Sequence, residues 1–175
     1  MKKTLLTLAL TLTTLFGAVE TSTPLPPLLL EGDQGGLYSG TAWSSEMLEG
    51  KTTLLLYVDP DERSKGEVFK PAIEAFEREL DFDRFQILVI LNLNATWKPD
   101  ALIKKMMGSK IEEYPKRTYI LDTKSALVKQ WRLIDDEYNV LVIDKHSKVI
   151  FEHAGEWDGE QIDKIDRLIR SQTSK

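Results

Sequence analysis

Two apolar runs separated by one amphipathic segment constrain this chain more than anything else in it. Residues 52–58 and 84–93 are almost continuous in apolar side chains, the pattern of strands buried on both faces of a sheet. Between them Val68, Phe69, Ala72, Ile73, Phe76 and Leu80 recur at helical spacing, which predicts an amphipathic helix kinked by Pro71 in its first half. Strand, helix and strand in that order form a crossover unit and favour parallel pairing.

The flanking sequence extends the alternation. Residues 99–107 read as a second helix with Pro99 near its start and Gly108 as its stop. After Tyr114 and Pro115 come a short strand over 118–121, a turn over 122–124 and a helical segment over 125–131. Residues 139–143 and 148–153 form a hairpin across 144–147, a turn without glycine. A last helix over 158–171 places Ile162, Ile165, Leu168 and Ile169 on one face. Ahead of the first strand, residues 43–50 read as a short helical turn closed by Gly50.

The N-terminal region differs from the rest. Lys2 and Lys3 precede an apolar, threonine-rich run from Leu5 to Phe16, then Gly17 and Ala18, so residues 1–18 are expected to be a secretory signal. Phe16 sits where a small residue is wanted for cleavage after Ala18, which leaves a retained anchor as the alternative. The run falls short of the ~20 residues that span a bilayer, and no later segment approaches that length. Cutting after Ala18 removes two lysines and no acid, which takes the net charge from −5 to −7. An acidic chain of this kind is excluded as a nucleic-acid binder, because phosphate contacts need clustered Lys and Arg. Residues 19–40 carry Pro24, Pro26, Pro27, Gly32, Gly35 and Gly36 and read as an extended lead-in where only residues 28–30 are expected to pair. One domain is then expected over 41–172, with 173–175 as a tail; 42% hydrophobic and 29% charged residues suit a single ordinary core.

The chain has no cysteine. Thiol–disulfide and thiol-peroxidase chemistry are therefore excluded, since a thiolate does the work in both. A mature chain of about 150 residues has enough core to persist in an oxidising compartment without disulfides.

The order of elements resembles the redoxin branch of the thioredoxin-like superfamily over residues 28–172. More narrowly, Trp43, Leu48, Gly50 and Lys51 ahead of the first strand, Tyr114, Pro115, Tyr119, Ile120 and Asp122, Leu127, Trp131 and Leu133, and residues 140–144 in the hairpin resemble the YtfJ family of exported proteins. The resemblance implies an α/β thioredoxin-like three-layer fold, with a mixed central sheet and helices on both faces, located in the periplasm. It brings no activity with it. Laid on the first strand and its helix, the superfamily's two redox cysteines fall on Arg63 and Gly66, and its cis-proline on Glu137 or Tyr138.

In such a fold the loop after the first strand meets the loop before the hairpin. The first carries Asp59, Asp61, Glu62, Arg63, Ser64, Lys65 and Gly66, the second Asp135, Asp136, Glu137 and Tyr138. The acids could gather a hard cation such as Ca²⁺, with Asp59, Asp61, Asp135 and Asp136 as the ligands. The competing reading is two solvated loops partly neutralised by Arg63, Lys65 and Arg132, and it is favoured because the spacing matches no EF-hand loop. Ser64 is expected to cap the following helix, not to act as a nucleophile, since neither His146 nor His153 is placed as its base. Both histidines are expected on the surface, too far apart for a zinc site. Trp43 and Trp131 read as core, Trp97 and Trp157 as loop residues open to contact. Lys104, Lys105 and Lys110 mark a solvated helix face.

The sequence thus points to a non-catalytic module with no cofactor that binds a protein or peptide of the cell envelope. Its expected face is residues 61–66 with 135–138. The alternative is a cation-binding protein or cation-dependent enzyme built on the same acids.

Overall fold

The computed structural model describes residues 24–174; the proposed signal, residues 1–18, lies outside them. In chain order the strands are β1 (Leu29–Leu30), β2 (Gly35–Leu37), β3 (Trp43–Ser44), β4 (Thr52–Val58), β5 (Phe85–Asn92), β6 (Arg117–Asp122), β7 (Tyr138–Ile143) and β8 (Val149–Ala154). The α-helices are α1 (Lys70–Glu79), α2 (Asp100–Glu113), α3 (Ala126–Trp131) and α4 (Gly159–Thr173).

Six strands form one sheet in the order β2-β6-β5-β4-β7-β8. β4, β5 and β6 run parallel, while β2, β7 and β8 are joined antiparallel. All seven residues of β4 are buried, as its apolar run demands for an inner strand with both faces covered. On one face α1 and α4 pack over Leu54, Leu56, Ile87, Val140 and Val142, and α2 packs over Tyr119 and Leu121 beside them. On the other, α3 and the segment carrying Leu25, Leu28, Leu30, Trp43 and Leu48 pack over Leu55, Tyr57, Leu88 and Ile90. Trp43 and Trp131 meet edge to face there, 6.2 Å between ring centres, and the Trp131 indole donates to the Pro26 carbonyl at 2.9 Å.

Three local expectations are corrected. Pro71 does not kink a helix: a 3-10 turn over Arg63–Phe69 leads into α1, and Pro71 falls in the first turn of the α-helix, where its missing N–H has no partner to lose. Gly108 does not stop α2, which runs on to Glu113. Ile103, Met107 and Ile111 continue one apolar stripe through it, and that burial outweighs about 1 kcal/mol of glycine propensity; the helix ends at Tyr114, before Pro115. The lead-in pairs beyond residues 28–30. β2 joins the sheet edge against β6, and at Gly35, with φ +122°, a Cβ would stand 1.9 Å from the Leu121 carbonyl oxygen.

The hairpin needs no glycine because Asp144 organises its turn. The Asp144 carboxylate accepts from the amides of His146 and Lys148, each at 2.9 Å, and Ser147 takes the left-handed conformation at φ 59°. α4 starts on a capping box: the Gln161 amide donates to Asp158 at 3.0 Å, and the Asp158 amide donates to the Gln161 side chain at 2.9 Å.

Candidate functional site

The two candidate loops meet at the end of β4. Val58 pairs with Tyr138 across the sheet, and the next residue, Asp59, donates its amide to the Glu137 carbonyl at 3.1 Å. Lys65 reaches across to Glu137 at 2.7 Å and back to Glu62 at 2.9 Å, and these two acceptors hold its ammonium above the ordinary lysine range. Tyr138 lies buried beneath the turn, its phenol pushed up by burial. A Cβ built on Gly66 would stand 2.3 Å from the Tyr138 ring, so this turn seats on that ring only because residue 66 has no side chain. No peptide bond among the described residues is cis, residues 137 and 138 included.

Above this joint Arg63 and Ser64 are exposed within the 3-10 turn. Ser64 is not a helix cap, because the turn begins after Glu62 and no side chain caps it. Ahead of that turn the Asp61 amide donates to the Asp59 carboxylate at 2.8 Å, which shapes the loop between β4 and the 3-10 segment.

The acids divide among separate partners. Asp59 is 4% exposed, and burial, with Asp136, Glu62 and Asp135 nearby, raises its carboxyl to about 6, while Lys98 works the other way. Asp61 is ion-paired with Lys98 and accepts from the Thr96 hydroxyl at 2.8 Å. Asp135 accepts from the Asn92 side chain at 2.8 Å. Asp136 is exposed, in the left-handed conformation at φ 53°. Among the described residues no three carboxylates or histidines come together in a way that could hold a metal ion.

Sequence reasoning missed the polar residues behind this ridge. Asn92, at the end of β5, donates to Asp135 and accepts from Ser125 at 2.9 Å, and Asn94 donates to the same Ser125 hydroxyl at 3.1 Å. Asn139 clamps the second loop from both sides, donating to the Ile134 carbonyl and accepting from the Ile134 amide at 2.9 Å each. The available signal was a set of asparagines at the ends of apolar strands, where amides are placed to tie down loops.

The remaining candidates scatter. His146 is exposed in the hairpin turn. His153 is half-buried at the surface, bonded to the Glu156 carbonyl at 2.7 Å and set edge-on against Trp157 with ring centres 4.4 Å apart. Trp157 also packs against Phe69 at 4.4 Å, and its indole N–H is enclosed with no partner among the described residues. Trp97 is 85% exposed beside the ridge.

Next to the ridge, a cavity of about 510 Å³ opens between α1 and α2. Leu56, Val58, Val89 and Leu91 from the sheet form its floor, with Ile103 and Met107 of α2 and Ile73 of α1 as walls. Arg63, Glu67, Lys70, Lys110 and Arg117 stand around it, and the Arg117 guanidinium lies 3.7 Å over the Tyr114 ring. Sequence reasoning did not find this cavity, because its walls come from segments far apart in the chain.

Residues 31–172 match the family described as "Bacterial protein of unknown function (YtfJ_HI0045)". The protein YtfJ of Escherichia coli (strain K12) is 26% identical over 161 residues, covering 86% of this chain and 85% of that one. Among solved structures, a putative protein disulfide isomerase from Bacteroides thetaiotaomicron superposes with a TM-score of 0.64 at 16% identity, over 91% of this chain and 94% of that one. A putative thiol:disulfide interchange protein DsbE from Chlorobium tepidum superposes with a TM-score of 0.62 at 13% identity, over 90% of this chain and all of that one. The architecture is thus thioredoxin-like, as expected from the order of elements, in a chain with no cysteine.

Proposed function

Because the chain belongs to the YtfJ_HI0045 family and has a thioredoxin-like fold without cysteine, we propose that it is an exported, non-catalytic module that binds a protein or peptide in the periplasm. Residues 1–18 would direct it there. The binding face is the ridge of residues 61–66 and 135–138. The observation that carries this reading is the joint beneath that ridge: Lys65 tied to Glu137, the Asp59 amide to the Glu137 carbonyl, and Gly66 seated on Tyr138. It presents exposed Asp61, Arg63, Ser64, Asp135 and Asp136 on a fixed base, and rigid presentation of polar groups lowers the entropy cost of docking. The choice of face follows the thioredoxin-like architecture by analogy.

The test is charge reversal of Asp61, Asp135 and Asp136 to Lys, followed by crosslinking of the full chain in its native envelope. Loss of crosslinked partners relative to the parent chain is the expected result. An identical set of partners from the reversed protein, still folded by circular dichroism, would overturn the assignment.

A further inference from the structure

β5 is an inner strand, with β6 on one side and β4 on the other. Strands in that position of a parallel sheet are normally covered on both faces, yet Val89 and Leu91 of β5 are only half-buried. Both pack partly under α1 and partly under α2, and the space above them stays open as the 510 Å³ cavity. That volume lies within the roughly 300–1,000 Å³ of small-ligand sites.

The lining has two chemistries. Leu56, Val58, Val89 and Leu91 make an apolar floor and Ile103 and Met107 an apolar wall; the phenols of Tyr114, Tyr119 and Tyr138 also line the cavity, that of Tyr119 donating to the Lys110 carbonyl at 3.2 Å. A nucleotide or sugar would lose hydrogen bonds there, whereas an alkyl chain gains from burial. Met106 and Met107 add flexible thioethers that adapt to chains of different length. The rim carries four cations against one acid, Glu67. Lys110 and Arg117 already hold Glu113 and Glu77, at 2.6 and 2.7 Å. Lys70 reaches Glu74 only at 4.0 Å, and Arg63 makes no ion pair among the described residues. Arg63 is thus unpaired among the described residues, and Lys70 is held only loosely, by Glu74 and the Tyr114 phenol, beside an apolar slot.

We propose that this cavity binds a single-chain anionic amphiphile, its tail over Val89 and Leu91 and its acidic head against Arg63 and Lys70. The cavity borders the protein-binding ridge and shares Arg63 with it, but it takes a different class of ligand, and it stands if that reading fails.

Calorimetric titration of the protein with octanoate, decanoate and dodecanoate, each below its micelle concentration, tests it. One-site binding is expected, about threefold to fourfold tighter per added methylene until the cavity is filled, with no saturable binding of decyltrimethylammonium. The double variant Arg63→Ser, Lys70→Ser, exposed at both positions, is expected to weaken decanoate binding about tenfold or more without moving the thermal midpoint. Val89→Phe, which fills the floor, is expected to abolish binding. Equal affinity for the cationic and anionic amphiphiles, or an unchanged double variant, would overturn the proposal. So would tight capture by phosphatidylglycerol vesicles without any binding of monomeric alkanoate, which would assign the cations to a membrane surface.

Discussion

The hydroxyl of Tyr57 donates to the carboxylate of Asp122 at 3.1 Å, joining β4 to the end of β6 through the interior. Asp122 is fully enclosed, and its oxygens also accept the amides of Lys124, Ala126 and Leu127 at 3.2, 2.9 and 3.0 Å. One carboxylate therefore ends a strand, shapes a turn and caps α3, whose preceding residue, Ser125, sits at φ 51° and supplies no cap of its own. Burial and the adjacent carboxylate push the Tyr57 phenol far above its ordinary range, so it stays a donor at any physiological pH.

Replacing that carboxylate strands the buried amides of Ala126 and Leu127 and a phenol in the interior, and releases the part-buried amide of Lys124. Asp122→Ala is expected to cost about 3 kcal/mol, and Tyr57→Phe only about 1 kcal/mol. Urea unfolding of the two variants checks the ranking, which fails if Tyr57→Phe is the more damaging.

Asp59 sets a pH dependence. Its carboxyl sits at about 6 in the folded protein against 3.8 as the reference for the unfolded chain, so between those values the native state holds the extra proton. Stability therefore declines as pH rises from about 4 through 6, by about 1–2 kcal/mol once partial solvent screening is allowed for. Asp59→Asn retains an oxygen for the Asp61 amide and should remove this decline. Urea midpoints of both proteins at pH 4.5 and 7.5 decide it: parallel behaviour would show that Asp59 is not the titrating group.

Gly66 and Tyr138 should be strongly coupled. Gly66→Ala drives a methyl into the phenol ring and is expected to cost about 1–3 kcal/mol. In a Tyr138→Ala background the same change should cost much less. A double-mutant cycle by chemical denaturation measures the coupling, and additive costs would mean that the turn relaxes away from the ring.

The Lys65–Glu137 pair is only partly exposed, at 21% and 26% of the side chains. A cycle of Lys65→Met and Glu137→Gln should return a coupling of about 0.5–1 kcal/mol that shrinks between 50 mM and 1 M salt. A coupling indifferent to salt would contradict the electrostatic account of the joint.

The inner strands were readable because burial on both faces leaves an almost continuous apolar run, as in residues 52–58, at a length and β-branched content that suit a strand. The hairpin turn was readable from its length alone, with Asp144 doing what glycine often does. Helix ends read less well. Gly108 looks like a stop only to local propensity, and the stripe of Ile103, Met107 and Ile111 outvotes it. Gly35 looks like a loop residue until Leu121 on β6 is seen against it. In the site, the meeting of the two loops followed from strand order, because β4 pairs directly with β7. What divides the acids, Lys98 for Asp61 and Asn92 for Asp135, depends on contacts 37 and 43 residues apart, and no local pattern encodes such distances. The cavity was illegible for the same reason.

The joint of Lys65, Glu137 and Tyr138 also bears on how the molecule matures. Nothing in it awaits an oxidant or an isomerase that reshuffles sulfur, since the chain has no cysteine. The surface it supports therefore rests on backbone pairing, one ion pair and one ring contact, none of which changes with the redox state of its surroundings.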